Sequence, residues 1–145
     1  MLTFRKIFNF YIQSSIHVGI AVFCLVQLSV QQWSSYSFLV LFGTIVGYNF
    51  LKYSEWFFST PFFRIQYIGI LVVTLFSTLG FFWFLLQQNT TVQLHMLFAF
   101  GLVVLYPFIR KIGWLKPFYV SFVVSYITLF IPLKSDVDVI GLFVQ

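Results

Sequence analysis

Residues 65–109, IQYIGILVVTLFSTLGFFWFLLQQNTTVQLHMLFAFGLVVLYPFI, contain no lysine, arginine, aspartate or glutamate. One α-helix of this length would measure about 67 Å, more than twice the roughly 30 Å hydrocarbon core of a lipid bilayer. The stretch must therefore fold back on itself, and the polar residues 87–91 near its middle mark the turn. This pattern predicts a helical hairpin whose two helices each cross a membrane.

The remaining chain follows the same organisation. Residues 7–51 form a second charge-free stretch, interrupted by the polar residues 31–35, and residues 117–133 form a further apolar segment. The predicted fold class is all-α, a multi-pass membrane protein with five transmembrane helices in an up-down bundle. The tail 134–145 ends in an apolar run, which we interpret as the start of a truncated sixth helix. The predicted helices of this single transmembrane domain, 1–145, cover residues 12–30, 36–53, 65–86, 92–109 and 117–133.

The composition excludes a soluble globular domain. Hydrophobic residues make up 61% of the chain and charged residues only 8%, whereas about a quarter of an average soluble domain is charged. The N-terminal apolar run lacks a small-residue cleavage site, so we expect it to be retained as the first membrane helix. The single Cys24 permits no intramolecular disulfide. No Cys/His spacing or glycine-rich loop indicates zinc, haem, flavin or a nucleotide, so no cofactor and no metal site are expected.

The basic residues predict the orientation of the bundle. Seven of the eight fall on one side of it, and Lys134 alone falls on the other. Because cytoplasmic loops of membrane proteins are rich in lysine and arginine, the N-terminus is predicted to be cytoplasmic and the C-terminus outside. Orientation accounts for the net charge of +5 without a nucleic-acid partner, and membrane lipids are the expected partners. The seven residues are Arg5, Lys6, Lys52, Arg64, Arg110, Lys111 and Lys116.

Polar residues of the first predicted helix share one face. Gln13, His17 and Gln27 fall within about an 80° arc, which also includes Cys24 and Gln31, if the helix is continuous. Such a face either lines a ligand cavity or proton path inside the bundle, or supplies interhelical hydrogen bonds of about 0.6–2 kcal/mol each.

Two further patterns concern packing and binding. In the second helix, Gly43 and Gly47 have the small-xxx-small spacing that lets another helix approach closely, and they predict a helix–helix partner. Near the cytoplasmic end of the fourth helix, Arg110 and Lys111 are followed by Lys116. These cations either only set the orientation, or form a site for a phosphate or lipid head group.

Two segments on the predicted cytoplasmic side carry a family resemblance. GYNFLKY, residues 47–53, resembles the place where the UbiA family of intramembrane prenyltransferases carries its first aspartate-rich motif. YPFIRK, residues 106–111, resembles that family's Tyr-x-x-x-Lys-Arg element. The resemblance covers the N-terminal half of a fold of about nine helices, and points to a UbiA-like branch in a bacterial plasma (inner) membrane. It implies substrate-binding residues at Asn49, Lys52, Tyr53, Tyr106, Arg110 and Lys111.

The chain departs from the family at the acidic positions. If Asn49 opens the motif Asn-Asp-x-x-Asp-x-x-x-Asp, the acids are replaced by Phe50, Tyr53 and Phe57. Family members hold Mg²⁺ with those carboxylates, and Mg²⁺ requires oxygen ligands that phenyl rings do not supply. We therefore expect no catalytic residues and no prenyltransferase activity in this chain. Instead, we expect a noncatalytic protein that binds an isoprenoid diphosphate or an anionic lipid.

Two alternatives stay open at this point. The chain is a fragment of a full-length membrane prenyltransferase, in which a C-terminal half completes a Mg²⁺-dependent enzyme. Alternatively, it is a small transporter or membrane assembly subunit that uses the polar face of Gln13, His17 and Gln27.

Cysteine labelling tests the predicted orientation. In a Cys24→Ala background, a single cysteine replaces Asn89 or Gly113, and intact cells are treated with a membrane-impermeant thiol reagent. We expect labelling at position 89, which the basic bias assigns to the outside, and at position 113 only after the cells are permeabilised. Labelling of intact cells at position 113 but not at position 89 would reverse the orientation.

Overall fold

A computed structural model describes the backbone of residues 2–31, 33–59, 65–109, 112 and 114–134. Within these ranges every regular element is a helix, which confirms the predicted all-α class. The last three elements form one continuous helical segment. The π-helical turn within this segment is called the π-segment. The elements are α1 (Leu2–Gln13), α2 (Ile16–Val30), α3 (Ser35–Ser59), α4 (Ile65–Leu86), α5 (Thr90–Ile109), α6 (Leu115–Ser125), the π-segment (Tyr126–Phe130) and α7 (Ile131–Lys134).

Two helices in the described ranges are long and apolar enough to cross a membrane. They are α4, over Ile68–Leu86, and α5, over Thr90–Ile109; a third span results if α1 and α2 together count as one. The segment Pro117–Leu133 is apolar but shorter. The structure thus has helices at all five predicted positions, and two or three of them meet the length and apolarity of a membrane span.

The turn of the α4–α5 hairpin is built by its polar residues. Asn89 caps the start of α5, because its side-chain Oδ1 accepts a hydrogen bond from the Val92 N–H at 2.9 Å. The Gln93 amide donates to the Leu85 and Gln88 carbonyls at 3.2 and 3.0 Å, and so satisfies groups at the end of α4. Gln88 also donates to the Ser35 hydroxyl at 2.6 Å. The two polar breaks of the sequence therefore meet at one end of the bundle, called the hairpin end; the opposite end is called the basic end.

The first predicted helix is divided, which corrects its expected range of 12–30. α1 ends at Gln13, α2 begins at Ile16, and the two are bent by 61°. Ser15 adopts a left-handed conformation with φ 60°, and the Ser14 hydroxyl donates to the Tyr11 carbonyl at 3.3 Å. Serine hydroxyls that bond to nearby backbone groups compete with helix continuation. As a result, Arg5 and Lys6 lie within a helix of their own, although the sequence predicted that they precede the first helix.

Helices α3 and α4 pack through a reciprocal arrangement of glycine and phenylalanine. The Phe42 ring of α3 lies against Gly80 of α4, and the Phe81 ring of α4 lies against Gly43 of α3. A Cβ atom at Gly80 would approach the Phe42 ring to 2.9 Å, so the contact requires glycine there. Gly47 faces Val103 of α5. Gly43 and Gly47 therefore contact two different helices of this chain, whereas the sequence predicted one partner helix for both.

A buried core lies between α2, α3, α5 and the last helical segment. Its centre includes Tyr36, a side chain with no exposed surface at the start of α3. α2 approaches α3 closely at Gly19, where a Cβ atom would lie 2.7 Å from Ile45. The other core members are Val26, Leu39, Val40, Val92, Met96 and Ile131.

The π-segment is explained by Pro132 and Tyr36. The Ile131 N–H donates to the Tyr126 carbonyl five residues earlier, which is the π-helical register. Continuing that register would require Pro132 to donate to the Ile127 carbonyl, but proline has no N–H. The Tyr36 hydroxyl donates to the Ile127 carbonyl instead, at 2.5 Å. This bond joins the beginning of α3 to the irregular turn and satisfies the Ile127 carbonyl there.

Replacing Tyr36 with phenylalanine tests the role of this hydrogen bond. Tyr36→Phe removes the hydroxyl that serves the Ile127 carbonyl, and should lower the free energy of unfolding by about 1–3 kcal/mol. The control is Tyr48→Phe, because the Tyr48 side chain is 48% exposed and its loss of a hydroxyl should change stability little. Unfolding of both variants is followed by circular dichroism in mixed detergent micelles. Equal stability of the two variants would contradict the assignment.

Candidate functional site

The corner between α1 and α2 meets the end of α3 at the basic end. The Gln13 carbonyl, at the C-terminus of α1, accepts hydrogen bonds from the Tyr53 hydroxyl at 2.8 Å and from the Lys52 ammonium at 3.3 Å. The terminal carbonyls of a helix lack backbone donors and carry partial negative charge, so a lysine is favourable there. The Lys52 ammonium also lies 5.4 Å from the centre of the Tyr53 ring, within the range of a cation–π interaction.

Asn49 lies on a different side of α3, against α4. Its side chain is buried, and its amide nitrogen donates to the Thr74 hydroxyl at 2.9 Å. Thr74 in turn donates to the Ile70 carbonyl at 2.8 Å on its own helix. The Asn49 Oδ1 atom is buried and has no hydrogen-bond partner. A buried acceptor without a donor is costly, so the Asn49 amide is only half satisfied by Thr74.

Tyr106 packs between α5 and α6. Its ring lies 6.3 Å from that of Tyr119, whose hydroxyl donates to the Leu102 carbonyl at 2.6 Å. Arg110 and Lys111 lie outside the described residues, as do the side chain of Lys116 and that of Phe57. α5 ends at Ile109, directly before the two cations, and its contact with α3 at Gly47 and Val103 shows that the two helices run side by side.

Among the six residues that the resemblance assigned to substrate binding, the structure thus brings together Lys52 and Tyr53. Asn49 faces α4, about one turn away, and Tyr106 contacts α6. The backbone carbonyl of Gln13 is the group that joins the first two, and the sequence did not indicate it. Only the break at Ser14–Ser15 exposes this carbonyl, so a prediction that treats residues 12–30 as one helix misses it.

The polar residues of the first predicted helix are separated by the same break. Gln13 belongs to α1, and the arc calculated for a continuous helix does not apply to it. In α2, the His17 Nδ1 and Gln27 Nε2 atoms are buried without a hydrogen-bond partner, while Cys24 is exposed. The His17 ring lies 5.7 Å from the Tyr11 ring of α1.

A second polar contact lies nearer the hairpin end and was not predicted. His95 Nδ1 and the Tyr126 hydroxyl are 2.6 Å apart, within a group of aromatic rings from α5, α6 and the π-segment. Tyr126 begins the π-segment, so the contact depends on a local helix geometry for which Pro132 was the only sequence signal. Among the described residues, no group of three His, Cys, Asp or Glu side chains is arranged to hold a metal ion.

No family model matches this chain, and neither a curated protein nor a solved structure matches it.

A double-mutant cycle tests whether Asn49 is held only by Thr74. Thr74→Val leaves the buried Asn49 amide nitrogen without its hydrogen-bond acceptor and should lower the free energy of unfolding by about 1–3 kcal/mol. Adding Asn49→Leu removes both polar partners and should recover most of that loss.

The matched control for this cycle is Thr78→Val. The Thr78 hydroxyl donates to the Thr74 carbonyl on its own helix at 2.8 Å, so its removal should cost little. Chemical unfolding in detergent gives the stabilities of the wild type, Thr74→Val, Asn49→Leu, the double variant and Thr78→Val. A double variant less stable than Thr74→Val alone would contradict the proposed pairing.

Proposed function

We propose that this chain is a noncatalytic integral membrane protein that binds a diphosphate or an anionic lipid head group at the basic end of its helix bundle. The proposal includes a UbiA-like arrangement of five membrane helices in a bacterial plasma membrane, with the N-terminus in the cytoplasm. The observation that carries it is the position of Lys52. Its exposed ammonium group donates to the Gln13 carbonyl at the C-terminus of α1.

The neighbouring helix supports the proposal. α5 runs beside α3 and ends directly before Arg110 and Lys111, which are candidates to approach Lys52 from the other side. Three cations near low-dielectric lipid attract a multivalent anion more strongly than the same charges in water. Glu55 is the only acidic residue before Asp136, so little negative charge competes for them.

Binding without catalysis follows from the residues at the family's acidic positions. Phe50 is a phenyl ring exposed on α3, and the Tyr53 hydroxyl is engaged by the Gln13 carbonyl. Neither side chain offers the carboxylate that Mg²⁺ needs for prenyl transfer. The basic side chains hold an anion by charge and hydrogen bonding alone, which requires no metal.

A second candidate function is transport, and one observation favours it. The buried His17 Nδ1 and Gln27 Nε2 atoms have no partner, and unpaired polar groups inside a membrane helix are typical of substrate or proton pathways. Proton-driven uptake by reconstituted vesicles, abolished by His17→Ala, would favour transport over head-group binding.

A binding assay tests the proposed function. Purified protein is titrated with a prenyl diphosphate. In a separate experiment, the protein is incorporated into phosphatidylglycerol or phosphatidylcholine, and its binding to the two lipids is compared. Arg110→Lys keeps the charge but loses the planar two-point contact of a guanidinium, so we expect roughly tenfold weaker diphosphate binding. Lys52→Ala and Lys111→Ala should weaken it to a similar degree.

The matched control for this assay is Lys134→Ala, which removes a lysine on the opposite side of the predicted bundle. This variant should bind the diphosphate as the wild type does. Product analysis with Mg²⁺ and aromatic acceptors in the same samples separates binding from catalysis. Equal binding by all variants, or no preference for phosphatidylglycerol over phosphatidylcholine, would show that the cations only set the orientation.

A further inference from the structure

α1 is an amphipathic helix. Four of its five polar residues, all except Thr3, fall within about a 100° arc, and a set of four large apolar side chains occupies an arc of similar width on the opposite face. The polar set is Arg5, Lys6, Asn9 and Gln13, and the apolar set is Phe4, Ile7, Phe8 and Tyr11.

Most of the apolar face of α1 is uncovered by the rest of the described chain. Phe4 is 75% exposed, Ile7 is 63% exposed and Phe8 is 51% exposed. Arg5 and Lys6 are exposed on the other face. An uncovered apolar stripe next to two cations, with no acidic residue in the helix, is the composition of helices that lie in the membrane interface.

We propose that α1 lies in the plane of the membrane, with Phe4, Ile7 and Phe8 inserted among the acyl chains and Arg5 and Lys6 bound to anionic lipid head groups. The residues proposed to insert or to bind head groups lie outside the proposed binding site, and the inference requires only that the chain resides in a membrane.

The direction of the apolar face agrees with this placement. The Tyr11 ring, at the centre of that face, lies 5.7 Å from the ring of His17 in the first turn of α2. The face is therefore turned towards the side on which α2 continues into the bundle. Phe10, which lies between the apolar and the polar face, packs against Gly69 of α4 and so fixes α1 across the basic end.

The bend angle also fits an interfacial helix. α1 and α2 are bent by 61°, so a tilt of about 30° in α2 brings α1 parallel to the membrane plane, and membrane helices tilt by up to about 40°. α2 has 15 residues and is about 22 Å long, so at this tilt it spans about 19 Å, roughly 11 Å less than the hydrocarbon core. An interfacial helix sinks about 5–10 Å, which makes up most of this difference at the corner.

The contacts at the corner hold α1 in this orientation. The Tyr53 hydroxyl and the Lys52 ammonium both bind the Gln13 carbonyl, which lies at the last residue of α1. If α1 instead continued α2 as one half of a broken span, Arg5, Lys6 and Asn9 would enter the hydrocarbon. The exposed polar face has no partner within the described chain that would offset that cost.

Spin-label accessibility tests the proposal on the full chain in vesicles. In a Cys24→Ala background, single labelled cysteines replace Ile7 and Phe8 on the apolar face, or Asn9 and Gln13 on the polar face. Collisions are measured with oxygen, which concentrates in lipid, and with a water-soluble nickel chelate. We expect positions 7 and 8 to favour oxygen and positions 9 and 13 to favour nickel. Shielding of all four from nickel would indicate a broken span, and exposure of all four would indicate a face for a soluble partner; either result overturns the proposal.

Lipid composition tests the charge component with the label at position 8. Adding phosphatidylglycerol to phosphatidylcholine vesicles should increase the ratio of inserted to released label by about fivefold for each of the two cations. The combined variant Arg5→Gln and Lys6→Gln should lose this increase, whereas the charge-retaining control, Arg5→Lys with Lys6→Arg, should keep it. An increase in the neutral variant equal to that of the control, or no increase in the wild type, would overturn the assignment to anionic lipid.

Discussion

The fold depends on supplying hydrogen-bond donors where a helix becomes irregular, because a backbone carbonyl that loses its helical donor otherwise stays unsatisfied. At two irregular places in the described chain, tyrosines of α3 supply the donor. At one end of α3, the Tyr36 hydroxyl binds the Ile127 carbonyl in the π-segment. Near its other end, the Tyr53 hydroxyl binds the Gln13 carbonyl at the α1–α2 corner. α3 is thus the element that allows its neighbours to bend.

The described structure matches the sequence-based prediction best where hydrophobicity alone determines the helix. α4 covers the predicted residues 65–86, and α5 starts two residues before its predicted range of 92–109. There the turn consists of strongly polar residues, and their side chains cap the helices on both sides. The Ser14–Ser15 break is weaker as a signal, because two serines within an apolar run are compatible with a continuous helix until one adopts a left-handed conformation.

The site was less predictable than the fold, since the direction of a side chain depends on which helices pack on which face. The resemblance of residues 47–53 grouped Asn49 with Lys52 and Tyr53 as substrate-binding residues. α3 contacts α4 on one side and the α1–α2 corner on another, so Asn49 binds Thr74 while Lys52 and Tyr53 bind Gln13. The glycine positions were similarly visible in the sequence, but the two separate partners of Gly43 and Gly47 follow from three-dimensional packing.

The double contact at the corner has a consequence for the proposed binding site. A bound anion would compete with the Gln13 carbonyl for Lys52, because both are acceptors for the same ammonium group. The lysine stem is flexible and can turn towards an anion, whereas the Tyr53 hydroxyl on its rigid ring stays on the carbonyl at 2.8 Å. In the proposed function, the Tyr53 hydroxyl would hold the corner while Lys52 turns to the anion. Binding would then leave the contact between α1 and α3 in place.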